Sequence, residues 1–112
     1  MAYLGDAVLE LAARERLVKF GNLSPERLHF EALSFVAASK QSKAVENILP
    51  LLTAAETEVY KRGRNAKGRA PKSASVTEYR RATGMECLFG YLYLSGGFMR
   101  ISELFDAAFK DV

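Results

Sequence analysis

The chain has 112 residues, about half of them apolar, with a formal charge of +3 and one cysteine. That is enough for one compact domain with a substantial core, and the composition excludes a disordered chain. The lone Cys87 excludes an internal disulfide and points to a reducing, intracellular compartment. No apolar run approaches the roughly 20 residues of a membrane span. No basic segment precedes the first apolar residues, so a signal peptide is not expected. The pattern starts abruptly inside a helix, and residues upstream are therefore expected.

The apolar spacing predicts helices throughout. The first covers about residues 2–20 and stops at Gly21–Asn22. Ser24 caps a second helix with Pro25 at its first position, and Leu23 and Leu28 are placed to staple that cap. The stretch "EALSFVAASKQSKAVENIL" reads as two helices bending near residues 37–40, the second ended or kinked by Pro50. Thr53 and Glu56 have capping-box spacing and start a helix over about 54–64. "RNAKGRAPKSA", residues 64–74, carries Gly68 and Pro71 without an apolar period and reads as a loop. Ser75 and Glu78 form a second capping box. They open a long helix that ends at Ser95–Gly96–Gly97. A last helix, about 98–110, puts Phe98, Ile101, Leu104, Phe105 and Ala108 on one side. No segment alternates with period two, so the fold class is all-α, one domain of six or seven helices over residues 1–112.

Charge is unevenly spread. Residues 61–81 hold eight basic side chains and one acid, Glu78, while the rest of the chain is net acidic. A basic patch on an acidic body points to a polyanionic partner, although a solvated loop gives the same composition.

Two acids stand out. Asp6 lies in "YLGDAVLEL", a helix apolar on nearly every side, next to Gly5 and one turn before Glu10. Burying an unpaired carboxylate costs several kcal/mol, and a glycine inside a helix costs about 0.5–1 kcal/mol against alanine. The helix dipole or a salt bridge to a core arginine accounts for Asp6 equally well. Glu86 is the single acid of "ATGMECLFGYLYLSGG", between Gly84 and Gly90. Glycines in helices fit the close approach of another helix or of a ligand. Crossing these two helices would bring Asp6 and Glu86 together, and two carboxylates so placed need a cation, a proton or a base. Oxygen donors without a Cys or His cluster fit Mg²⁺ or Mn²⁺ rather than zinc. Magnesium beside a basic patch suggests phosphodiester chemistry. The only histidine, His29, reads as a core or surface residue, Cys87 as a small buried thiol, and Tyr91 and Tyr93 as core and interface.

"YLGDAVLEL" resembles the Leu-Gly-Asp-Ala/Ser-Val-Leu signature of ribonuclease III catalytic domains, and "ATGMECLFGYLYLSGG" resembles their second acidic motif. With "KRGRNAK" (61–67), "EYRRATG" (78–84) and "GYLYL" (90–94), the set is similar to Mini-ribonuclease III, the short form without a double-stranded-RNA-binding domain. The resemblance spans essentially the whole chain. It implies the all-α ribonuclease III endonuclease domain working as a homodimer, with Mg²⁺ (Mn²⁺ substituting). The implied substrate is double-stranded RNA, in bacteria the precursor of large-subunit (23S) ribosomal RNA, cut to leave 5′-phosphate ends. Asp6 and Glu86 match the metal-binding, catalytic carboxylates. Full-length ribonuclease III has an aspartate where Thr83 stands and a glutamate where Ala2 stands, which leaves few acids around the metal. Thr83 and Glu10 are candidates for site support. Arg62, Arg64, Lys67, Arg69 and Lys72 are candidates for contacts to the phosphates of an A-form duplex. The implied location is the bacterial cytoplasm or an organelle of bacterial descent. The rival readings are a ribonuclease III-like RNA-binding module that no longer cleaves, which retention of both acids opposes, and a helical protein whose basic loop binds an acidic partner.

Overall fold

Three helix starts fall where a capping hydroxyl satisfies a free N–H group. In the computed structural model, which describes residues 1–20, 24–28, 31, 38–66, 68 and 75–110, every regular element is helical. These are α1 (Ala2–Phe20), α2 (Ala38–Ile48), a 3-10 turn (Leu49–Leu51), α3 (Ala54–Arg64), α4 (Val76–Leu94) and α5 (Phe98–Ala108). Residues 25–28 are helical too, and the Ser24 hydroxyl accepts from the Arg27 N–H at 3.2 Å. Thr53 and Glu56 form a complete capping box at the start of α3. At α4 the Ser75 hydroxyl accepts from the Glu78 N–H, and in return it donates to the Glu78 carboxylate at 3.1 Å. Pro50 sits in the 3-10 turn that follows α2, and Gly96 leaves α4 with φ +77. The stop at Gly21–Asn22, the Leu23 half of the staple, His29 and most of the expected bend at 37–40 lie outside the described residues.

Helix α4 is the axis of the molecule, and α1, α2, α3 and α5 all pack against it. Its buried residues Met85, Leu88, Phe89 and Leu92 meet Val8, Leu9 and Ala13 of α1, Ala44, Val45 and Ile48 of α2, Tyr60 of α3, and Ile101, Leu104 and Phe105 of α5 in one core. Each large apolar side chain so buried contributes about 1.5–3 kcal/mol. Phe98 departs from the expected apolar face of α5. It is 60% exposed, because it opens the helix beyond the edge of the core.

One polar chain crosses this interior. The Glu56 carboxylate accepts from the Thr53 N–H at 2.9 Å and from Arg100 Nε and Nη2 at 2.9 and 2.8 Å. Arg100 also donates to the Leu51 carbonyl at 2.8 Å and to Glu103 at 3.1 Å. The Arg100 guanidinium holds the Glu56 carboxyl below the usual glutamate range, against the opposing effect of burial. A depressed carboxyl stabilises the fold above its unfolded value of about 4.3 and loses that contribution as pH falls through the lower folded value. Arg100→Ala should therefore cost about 1.5–3 kcal/mol at pH 7, the range for hydrogen bonds to a charged group. The cost should shrink below pH 4, as read from denaturant midpoints at the two pH values.

Candidate active site

The site is made by the crossing of α1 over α4. Gly5 is buried at that crossing, and a Cβ on it would fall onto the Glu86 carbonyl. Gly90 faces back, where a Cβ would meet the Met1 carbonyl at 2.6 Å and the Gly5 nitrogen at 3.2 Å. A second crossing repeats the device. A Cβ on Gly84 would meet the Tyr60 ring at 2.7 Å, and one on Gly63 would meet Cys87 Cβ and Sγ at 2.8 Å. The glycines thus admit neighbouring helices. The space beside Gly5 and Gly90 is taken by helix backbone and is not open to a metal or an RNA strand.

This crossing sets Asp6 beside Glu86. Burial first, then the adjacent and hydrogen-bonded Asp6 carboxylate, push the Glu86 carboxyl up to about 7. Two acids share one small volume, and at neutral pH the pair holds a proton for part of the time. Asp6 itself is exposed, unlike the expectation for a helix apolar all round. Only one side of α1 is covered; on the other, Tyr3 is 95% and Leu11 60% exposed.

Around the pair, Glu10 is half-buried one turn further along α1. Among the described residues no three His, Cys, Asp or Glu side chains gather as a metal-holding cluster. Thr83 is half-buried one turn before Glu86, and its hydroxyl donates to the Tyr79 carbonyl at 3.0 Å. Cys87 is half-buried against Gly63, and burial raises its thiol further above its ordinary value, which suits packing and not nucleophilic chemistry.

The basic residues are only partly in view. Arg62 is exposed and lies 3.6 Å from Glu58. Arg64 lies over the Tyr60 ring, 5.8 Å from its centroid, and bonds Asn65 Oδ1 at 3.1 Å. Lys67, Arg69 and Lys72 lie outside the described residues.

Sequence reasoning left two surfaces unassigned. One is an apolar groove of about 430 Å³ between α1 and α5, with Val8, Leu11 and Ala12 on one wall and Phe98, Ile101 and Phe105 on the other. Tyr93 reaches the groove from α4 and meets Phe98 edge-on at 5.6 Å. The apolar outer residues of α1 and the reading of Tyr93 as an interface residue were its signals; its α5 wall had none. The second surface is a cluster of arginines where α3 ends and α4 begins. The concentration of charge announced it, but its geometry had no signal.

Residues 1–97 match the family model of the ribonuclease III domain. The chain is 49% identical over 109 residues to Mini-ribonuclease 3 of Symbiobacterium thermophilum, covering 96% of this chain and 84% of that protein. It is 43% identical over 113 residues to Mini-ribonuclease 3 of Brevibacillus brevis, covering all of this chain and 84% of that protein. A crystal structure of a Fusobacterium nucleatum protein superposes with a TM-score of 0.85 at 31% identity, over 98% of this chain and 88% of that one.

The raised Glu86 value has a signed consequence. A carboxyl lifted in the fold weakens stability as pH rises from the unfolded value, about 4.3, to the folded one, and no further above it. Asp6→Asn removes the charge that helps lift it. Carboxyl NMR of the metal-free protein should show Glu86 titrating near 7 in the wild type. In Asp6→Asn it should titrate lower, with a gain in thermal stability at pH 8.

Proposed function

The chain belongs to the ribonuclease III family, and we propose that it cuts double-stranded RNA with Asp6 and Glu86 as the metal-binding, catalytic pair. It is an endoribonuclease by that membership. The observation that carries the assignment of the centre is the pair itself. Two carboxylates from two helices are pressed together until one of them retains its proton near neutrality. A divalent cation is the natural replacement for that proton, and an all-oxygen donor set fits Mg²⁺ or Mn²⁺. Such a cation, when bound, supplies a water of lowered pKa and charge stabilisation at the leaving oxygen.

The chain's own side chains do the rest. Asp6 and Glu86 hold the cation from opposite helices. Thr83, its proton committed to Tyr79, offers its oxygen to a water or hydroxyl at the site. Glu10 extends the acidic edge one turn away. Arg62 and Arg64, together with Lys67, Arg69 and Lys72, take phosphates of the duplex, whose A-form major groove hides its base edges. Residues 1–112 act as one catalytic domain. The natural substrate is the precursor of large-subunit ribosomal RNA in the bacterial cytoplasm. No helix among the described residues is long and apolar enough to cross a membrane.

The protein works as a homodimer, and the groove between α1 and α5 with its exposed rim is the proposed interface. Tyr3, Leu11, Leu94, Phe98 and Met99 are 95, 60, 65, 60 and 83% exposed on adjoining elements. Arg16 lines the same groove and keeps a buried Nη1 without a hydrogen-bond partner, 3.8 Å from Asp106. A second copy would cover the apolar rim. A twofold axis then places one carboxylate pair against each strand of the duplex.

Cleavage of a labelled duplex in Mg²⁺ should stop with EDTA. Asp6→Asn should slow it by more than about 100-fold, since even the outer partners of metal ligands are worth roughly 10–100-fold. Folding and duplex binding should persist, and cutting at near-normal rate would overturn the assignment. Leu11→Glu should convert a dimer to a monomer in light scattering while retaining its helical circular dichroism. A wild type that is monomeric at micromolar concentration would remove the interface.

A further inference from the structure

A cavity of about 290 Å³ opens where the end of α3, the start of α4 and the 3-10 turn meet. Arg64, Arg80 and Arg81 all line it, with Thr77, Tyr60 and Leu49. Three guanidinium groups facing one space repel one another unless anions intervene. Only Arg81 has a carboxylate, Glu46 at 3.1 Å, and it also donates to the Ser42 hydroxyl at 3.2 Å. Arg64 has a ring and an amide. Arg80 is exposed and makes no ion pair or hydrogen bond among the described residues. The cavity therefore carries an excess of positive charge that the surrounding protein leaves unanswered. Guanidinium forks match phosphate oxygens two at a time. Thr77 adds a hydroxyl in the first turn of α4, the positive end of a 19-residue helix.

The position separates this cavity from the carboxylates. Thr77 and Arg81 lie roughly half a turn around α4 from Glu86. The last turn of α3 runs between the two places. Gly63 packs on Cys87, next to Glu86, while the following residue, Arg64, lines the cavity. A group held there is not the one being cut, but a strand crossing the end of α3 reaches both.

We propose that this cavity is a phosphate-binding site, filled by a backbone phosphate of the RNA strand at a distance from the scissile bond. The proposal rests on the nuclease reading. It assigns Arg80 and Arg81 a binding role and gives Arg64 a fixed position in it. Because the bound phosphate does not react, its loss should raise KM and leave kcat unchanged.

The test uses duplex RNA in EDTA, where nothing is cut, with fluorescence anisotropy across a range of NaCl. Arg80 touches nothing that holds the fold, so Arg80→Ala should melt with the wild type. Its affinity should fall about 3–10-fold and its salt slope by about 0.9, the loss of one phosphate contact. Arg80→Lys, which keeps the charge but loses the fork, should recover part of the affinity and all of the slope. In parallel, millimolar inorganic phosphate should raise the melting temperature of the wild type and not of Arg80→Ala. Unchanged duplex affinity and slope in Arg80→Ala overturns the strand-phosphate site, and protection by inorganic phosphate would then mark a pocket for free phosphate. A wild type that neither binds the duplex in EDTA nor cuts it when Mg²⁺ is added overturns the nuclease reading instead, and a wild type that does both while Arg80→Ala matches it overturns this inference alone.

Discussion

Everything in this molecule depends on how closely α1 can lie on α4. The separation is set by the absence of a side chain at Gly5, where the Glu86 carbonyl occupies the place a Cβ would need. Close-packed interiors transmit such constraints over several residues. Once the backbones touch at Gly5, Asp6 has no choice but to stand next to Glu86. The same contact sets the depth to which Val8, Leu9 and Ala13 enter the core. Structure and chemistry thus share one cause. The glycines weaken two helices locally, and the core they let form more than offsets that cost.

The carboxylate pair proposed as the catalytic centre needs no loop to hold it. Both carboxylates ride on helices of 19 residues that pack directly on each other, so the backbone positions that carry them are set by the core. The electrostatic conflict is correspondingly hard to relax. Burial and the Asp6 carboxylate both disfavour the charged form of Glu86, whose carboxyl is pushed up to about 7. Perturbed carboxyls of this kind cluster at functional sites, which is the ground for the proposed role of the pair.

Much of this was legible in the sequence, for reasons that differ by feature. Helix ends were readable where a hydroxyl and a carboxylate stood three residues apart, as at Thr53 and Ser75, because capping is a local interaction. Asp6 and Glu86 were readable because an acid beside glycine in an apolar helix breaks two rules at once. The meaning of the glycines was only half legible. Sequence shows that something comes close; whether it is helix or ligand depends on a contact with a segment some 80 residues away. The exposure of Tyr3, Leu11 and Phe98 was illegible for a related reason. An apolar residue reads as buried until the number of neighbouring helices is known, and α1 has partners on one side only. Arg80 and Arg81 were counted as charge, but their convergence with Arg64 needed the crossing angle of α3 and α4, which periodicity does not encode.

The chain of bonds through Thr53, Glu56 and Arg100 has a consequence for how the molecule opens. One carboxylate both caps α3 and ties it to α5, and the same arginine holds the 3-10 turn through Leu51. None of these three elements can fray alone without breaking bonds that belong to the other two. Such cross-linked elements are expected to open as one unit in native-state hydrogen exchange. The arginines of α3 and the groove bordered by α5 therefore sit on elements that the same few bonds tie together, so the two proposed contact faces keep a fixed relation to each other.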